Sequence, residues 1–207
     1  MGNCKLKIGR YGAVTELILA SGSPRRQELL HALGVPFRTV LSGYHERSVR
    51  GRAAGTTVMA HARGKAAAVA RTVQRGIVVG ADTLVWRNGV AYGKPRDLAD
   101  ARRMLRALEG KTHEVHTGLA VCDVARKRWR VASVCTKVTM RPLDAAEIEW
   151  YLKKVNPLDK AGAYAIQEAG GIIIKCTSGC YYNVIGFPVA TLEAMLRALG
   201  YSLTRNT

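Results

Sequence analysis

Leu17-Ile18-Leu19-Ala20-Ser21-Gly22-Ser23-Pro24-Arg25-Arg26 sets the reading of the whole chain. Its first four residues are a short apolar run of the kind a buried strand shows. Ser21-Gly22-Ser23 makes a turn. Ser23 as N-cap followed by Pro24 is a helix-start signal, because proline's missing N–H is harmless at the first helical position. Leu29, Leu30 and Leu33 give that helix a core face, and Gly34 with Pro36 ends it. A helix N-terminus presents free N–H groups and partial positive charge, so Arg25 and Arg26 in the first turn face an unfavourable field. Ser21, Ser23, the loop amides and two guanidinium forks together suit an anion such as phosphate. Two solvated surface arginines would carry the same letters.

Working outward, residues 58–73 read as an alanine-rich helix. Ile77-Val78-Val79-Gly80-Ala81 reads as a buried strand continued by Leu84-Val85-Trp86, and Asn88-Gly89 signals a hairpin. Asp97 caps a helix with Ala101, Met104, Leu105 and Leu108 at core spacing, closed by Gly110. Two extended stretches follow, 115–122 and 131–140, joined by the polar segment 123–130. Asp144 with Glu147 resembles a capping box, opening a helix through Leu152. After 159–167 come Ile172-Ile173-Ile174, a turn, and a last helix over about 188–199 that Gly200 stops. There are no repeats, low-complexity tracts or linkers. Strands mix with helices, and antiparallel hairpins fill the second half, so the class is α/β with a mixed sheet.

At 207 residues and 48% hydrophobic content the chain suits one ordinary globular domain. We expect a basic N-terminal extension over 1–14 and a single domain over 15–207. No run reaches the length of a membrane span and no charged-then-apolar leader opens the sequence, so a cytoplasmic protein is expected. The five cysteines, Cys4, Cys122, Cys135, Cys176 and Cys180, are odd in number and scattered, which argues for reduced thiols rather than a disulfide framework. Gly2 and Cys4 offer acylation sites, but Leu6 stands where the myristoylation pattern wants Ser or Thr. Net charge is +17, with thirteen Lys/Arg against Glu16, Glu28 and Glu46 in residues 1–75. Such a surplus attracts phosphates on nucleic acid, on membranes or on small nucleotides.

Asp82 interrupts the apolar stretch 77–86, where a bare buried carboxylate would cost roughly several kcal/mol. It needs a cation, a metal or donors, unless it is simply a turn residue at the strand's end. Lys94 sits in the rigid turn Gly93-Lys94-Pro95, and Lys65 lies on the alanine-rich helix. Read alone, each is a solvated side chain, and Glu46 is a loop acid. The segment Asp159-Lys160-Ala161-Gly162-Ala163-Tyr164-Ala165-Ile166-Gln167 crowds charged, small and aromatic residues without helical or strand period, which suits a recognition loop. His61, His113 and His116 show no metal-ligand spacing with cysteines or carboxylates and are read as bland.

Leu19-Ala20-Ser21-Gly22-Ser23-Pro24-Arg25-Arg26, Gly80-Ala81-Asp82-Thr83, Gly93-Lys94-Pro95, 159–164 with Gln167, and Asn183-Val184-Ile185-Gly186-Phe187-Pro188 together resemble the Maf family. This is the septum-formation-inhibitor type, relatives of the inosine triphosphatases. The five motifs fall in the family's order over about 17–200. The resemblance implies an elongated central mixed sheet flanked by helices, with two lobes around a nucleotide cleft. It implies metal-dependent hydrolysis of nucleoside triphosphates to the monophosphate and pyrophosphate. Asp82 matches the family's proposed general base. Arg25, Thr83 and Gln167 mark the dTTP/UTP branch, and Glu46, Lys65 and Lys94 match less distinctive family positions. The sequence departs from the pattern at Glu168, where Gly is common after the Gln, and at Gly179-Cys180-Tyr181, where Gly-Ser-Tyr is usual.

Phosphoanhydride hydrolysis needs charge neutralisation and an oriented water more than covalent help. On the family reading, Ser21, Ser23, Arg25, Arg26, Lys65, Thr83, Lys94, Lys160 and Gln167 bind substrate. Glu46 and Asp82 hold Mg2+ or Mn2+, and Asp82 takes the proton from water. A homodimer is a family expectation, and removal of non-canonical nucleotides a role the family suggests. The rival readings are a basic nucleic-acid-binding module and a nucleotide-sensing regulator without hydrolysis. Against the first stand the sparse aromatics, 6%, and the absence of a nucleic-acid-binding signature. Against the second stand Asp82 and Lys94, both intact.

Overall fold

The computed structural model describes residues 6–10, 13–46 and 53–205. In chain order the elements are β1 (Leu6–Arg10), β2 (Ala13–Val14), β3 (Leu17–Leu19), α1 (Pro24–Ala32), β4 (Phe37–Thr39), α2 (Ala54–Ala70), β5 (Ile77–Arg87) and β6 (Val90–Tyr92). There follow α3 (Leu98–Leu108), β7 (Thr112–Asp123), β8 (Arg128–Met140), α4 (Ala145–Lys154), a 3-10 turn (Ala161–Ala163), α5 (Gly170–Ile173), β9 (Ile174–Ser178), α6 (Tyr181–Ile185), α7 (Val189–Ala198) and β10 (Ser202–Arg205).

Seven strands form the central sheet in the order β4-β3-β5-β7-β8-β9, with β6 paired to β5. β3 runs parallel to β4 and β5, and the remaining pairings are antiparallel. This is the mixed sheet flanked by helices that the alternation of patterns predicts. Gly2 and Cys4 lie outside the described residues. Part of the segment 1–14 is paired: β1 joins β10 and β2 in a separate three-stranded sheet, with Leu6 opposite Arg205.

Local chemistry explains several helix starts. Asp97 caps α3 by accepting from the Asp100 N–H at 2.7 Å. Asp144 and Glu147 complete a reciprocal capping box at α4. α1 begins at Pro24 as read, but the Ser23 side chain makes no cap bond. α2 starts earlier than its alanine run, at Ala54, because Val58, Ala62, Ala66 and Val69 form a fully buried stripe whose packing outweighs the weak helix propensity of Gly55-Thr56-Thr57. The isoleucine triplet is divided: Ile173 ends α5 and Ile174 opens β9.

Successive strand residues point to opposite faces, and this assigns the core. On one face of β5, Ile77, Val79 and Ala81 join Leu29, Leu30, Phe187, Leu192 and Leu196 beneath α1 and α7. Farther along that face, Val85 joins Leu105, Leu108, Ile148, Tyr151 and Tyr164 beneath α3 and α4. On the opposite face Val78, with Ala120 and Cys122 of β7, meets Ala62, Ala66 and Val69 of α2. Two glycines let α2 lie this close. A Cβ on Gly80 would stand 2.2 Å from the Ala62 carbonyl oxygen, and one on Gly118 would stand 2.3 Å from that of Val58. A side-chain carbon that close to a backbone atom cannot be accommodated unless the helix and the sheet move apart.

Candidate active site

β5 is paired on its β3 side only at its two ends. β3 covers residues 77–79, and β6 returns to cover 85–87. Between them the edge of residues 80–84 carries no neighbouring strand among the described residues, and a cleft of about 1730 Å³ opens there. It lies at the carboxyl end of the parallel strand β3, where ligand crevices of α/β sheets form. Because the gap runs through the sheet, residues from both faces of β5 line it: Asp82 from the α2 face and Thr83 from the other.

Asp82 is the centre of a charged cluster. Its Oδ1 accepts from Lys65 Nζ at 2.6 Å and its Oδ2 lies 3.2 Å from His61 Nδ1. Lys65 Nζ also lies 2.6 Å from Glu46 Oε1. Asp82 is 7% exposed. Burial alone would raise its carboxyl, but the His61 hydrogen bond and the Lys65 charge outweigh it and hold the group below the usual carboxylate range. One oxygen or nitrogen from each of Glu46, His61 and Asp82 lies within 4.8 Å of the others. Two carboxylates and an imidazole fit a hard to intermediate divalent cation. The structure thus joins Asp82, Lys65 and Glu46, which the sequence offered singly, and adds His61, which its spacing did not reveal. The signal was helical: His61 and Lys65 stand four apart on α2 and so share a face.

The two arginines of α1 do different things. Arg26 is 8% exposed. It donates to the Gly186 carbonyl (2.9 Å), Ser21 Oγ (2.8 Å), the Ala81 carbonyl (3.0 Å) and Thr83 Oγ1 (3.1 Å). It thereby ties the loop after β3 to the unpaired edge of β5 and to the end of α6. Burial pushes it down to about 10, which leaves it charged at neutral pH. Arg25 instead reaches across the cleft, donating to Asp159 Oδ2 at 2.8 Å and to the Asp159 carbonyl at 3.2 Å. Thr83 Oγ1 accepts from Arg26 and lies 3.0 Å from Thr117 Oγ1, while Thr117 donates to the Asn183 carbonyl. Thr83 is therefore the donor to Thr117, and its hydroxyl is committed on both sides.

Ser21, Ser23, Lys94 and Gln167 line the cleft, the last two exposed. Lys160 does not line it. Its buried ammonium donates to the Asn156 carbonyl (2.7 Å) and Asp159 Oδ1 (2.8 Å), and sits 3.2 Å from Glu168 Oε1. The carboxylate beside Gln167 is thus turned to Lys160. No helix among the described residues is long and apolar enough to cross a membrane.

Several proteins resemble this chain over nearly its whole length. A dTTP/UTP pyrophosphatase of Pelotomaculum thermopropionicum is 45% identical over 188 residues, covering 91% of this chain and 98% of that protein. A dTTP/UTP pyrophosphatase of Clostridium botulinum strain Kyoto is 42% identical over 191 residues, 90% of this chain and 98% of its own. One of Syntrophomonas wolfei is 40% identical, covering 91% and 100%. Among solved structures, the Staphylococcus aureus Ham1 protein aligns with a TM-score of 0.48 and 12% identity over 89% of this chain and 99% of that one. The family profile described as Maf-like protein matches residues 16–199, and with relatives at this identity the chain belongs to the Maf family.

Proposed function

We propose that this protein hydrolyses nucleoside triphosphates of the dTTP/UTP type to the monophosphate and pyrophosphate with Mg2+ or Mn2+. The observation that carries the reading is the Glu46–Lys65–Asp82–His61 cluster, set at a sheet gap beside the Ser21–Arg26 turn. Names borne by relatives at 40–45% identity support the reaction class. Glu46 and Asp82, with His61, would hold the cation, which when bound supplies charge neutralisation on the triphosphate. Arg25 and Lys94 bind phosphate oxygens, and the amides of the turn before α1 add donors. Asp82 stays ionised at neutral pH and takes the proton from the attacking water. The water oxygen bonds to the α-phosphorus while the bond to the α–β bridging oxygen breaks, releasing pyrophosphate.

Gln167 reads the base. Uracil and thymine present acceptor, donor, acceptor along one edge, and an amide supplies both a donor and an acceptor to it. Thr83 shapes the site through Arg26 and Thr117 rather than reading the base. A cytoplasmic homodimer is the form this reading takes, and sedimentation velocity tests the dimer. The activity test is pyrophosphate release from a panel of nucleoside triphosphates with each metal. UTP and dTTP should lead in kcat/KM, and Gln167→Glu should narrow that lead, since unpaired polar groups penalise the wrong base. A purine or methylated GTP as best substrate refutes the base assignment, and no pyrophosphate from any triphosphate refutes the reaction.

A further inference from the structure

The sheet face that carries Asp82 holds a second convergence of ligand atoms. Glu114 and His116 stand two apart on β7 and so share that face, and Cys135 of β8 is directly opposite His116 in the antiparallel register. His116 Nε2 lies 2.9 Å from Glu114 Oε2 and 3.6 Å from Cys135 Sγ. All three ligand atoms lie within 4.8 Å of one another. Directly opposed residues bring their Cβ atoms to about 5 Å, so two extended strands hold the donors without any loop. None of the three lines the cleft.

We propose that Glu114, His116 and Cys135 form a binding site for a borderline-soft divalent ion, Zn2+ in the first instance. A thiolate, an imidazole nitrogen and a carboxylate are the ligand types zinc takes, and Mg2+ does not take sulfur. Three protein ligands leave the fourth tetrahedral position open, the arrangement of sites that exchange a water or an outside ligand. Solvent reaches it: the Glu114 side chain is 40% exposed and Cys135 is exposed. The chemistry separates it from Glu46–His61–Asp82, which offers no sulfur. It also adjoins the first turn of α2, where a Cβ on Gly55 would stand 3.2 Å from Ser133 Oγ and 3.9 Å from His116 Nδ1.

The test uses the full chain stripped of metal by a chelator and titrated with Co2+, followed by Zn2+. The wild type should develop one thiolate-to-cobalt charge-transfer band with tetrahedral ligand-field absorption, and Zn2+ should bleach both at one equivalent. Cys135→Ser and His116→Ala should abolish the band and weaken Zn2+ binding at least about tenfold, the scale on which even outer ligand partners act. Glu46→Gln should keep it. Mg2+-supported pyrophosphate release by Cys135→Ser should equal that of the wild type. No thiolate band in the wild type, a band that survives Cys135→Ser, or undiminished Zn2+ affinity in a folded His116→Ala protein would each overturn the site.

Discussion

Replacing Gly118 with alanine tests whether α2 is seated by the two glycines and whether that seat sets the cluster around Asp82. The added Cβ would lie 2.3 Å from the Val58 carbonyl oxygen, 2.4 Å from its carbon and 2.7 Å from Met59 N, all backbone. Such contacts are not found below 3.0 Å, so helix and sheet must separate by about 0.7 Å. Val58 lies one turn before His61 and two before Lys65, and the helix moves as a unit. Asp82 pairs with Gly118 in register, so the strand that is pushed is the one beside the carboxylate. Overpacking of this kind costs about 1–3 kcal/mol. For a chain of this size that corresponds to a fall in Tm of roughly 2–12 °C. A misplacement near 1 Å at the chemistry can cost about a hundredfold in rate, so kcat for UTP should drop by one to two orders of magnitude. Differential scanning calorimetry and pyrophosphate release measure the two effects. Gly171→Ala serves as the control, because nothing lies within 4 Å of its Cβ. Wild-type Tm and turnover in Gly118→Ala would refute the seating argument.

Asp82→Asn should keep the fold, as judged by circular dichroism, and lower kcat by about two orders of magnitude or more; near wild-type turnover would remove Asp82 from the mechanism. Lys94→Ala should raise the KM for UTP several-fold with kcat largely spared, since its ammonium has no carboxylate partner among the described residues; a loss confined to kcat would contradict a binding role. His113 gives a pH prediction. Its Nδ1 has no partner among the described residues, and burial, helped by the Arg87 charge, pushes the imidazole down to about 4. The unfolded chain therefore takes up a proton near pH 6.5 that the folded one refuses until about pH 4, so stability falls as pH drops through that window, by up to about 3 kcal/mol. Urea unfolding at pH 7 and pH 4.5 should show the loss in the wild type and a smaller one in His113→Phe. An equal loss in both would assign it elsewhere.

What the sequence disclosed and what it hid divide along sequence separation. The caps at Asp97 and Asp144 were legible because each bonds its own chain three residues on. Asp82 was legible because a charge inside an apolar strand needs a partner, but nothing local names that partner. His61 lies 21 residues away on another element, and its meeting with Asp82 depends on how closely α2 lies on the sheet, which the glycines set. Arg25 and Arg26 look equivalent as letters. One helical step turns them about 100° apart, so one is buried against strand edges while the other faces Asp159 across the cleft. β1 pairs with β10 almost two hundred residues away, and strands of five and four residues carry too little pattern to announce a partner so remote.

The net charge of +17 says less about the cleft than it first suggests. Arg25, Arg26, Lys65, Lys94 and Arg96 line it, against Glu46, Asp82 and Asp159. Each of those carboxylates is already ion-paired, Glu46 and Asp82 with Lys65 and Asp159 with Arg25. Arg26 is committed to carbonyls and hydroxyls, and Arg96 lies 3.6 Å from Asp100. On the function proposed above, a triphosphate entering here would exchange partners with resident carboxylates instead of filling a bare cationic hole. That is physically sensible, because unpaired buried cations would be costly before substrate arrives. The surplus on the rest of the surface acts at longer range, within a Debye length of about 8 Å at physiological salt, and draws any polyanion. The two layers of charge make different claims. Surface charge raises encounter with nucleic acid and nucleotide alike, whereas on the function proposed above the cleft takes a ligand that would replace the Asp159 carboxylate on Arg25 and meet Lys94. A short chain of phosphates carries the closely spaced charges that such an exchange needs, whereas attraction to a nucleic acid needs only the surface surplus.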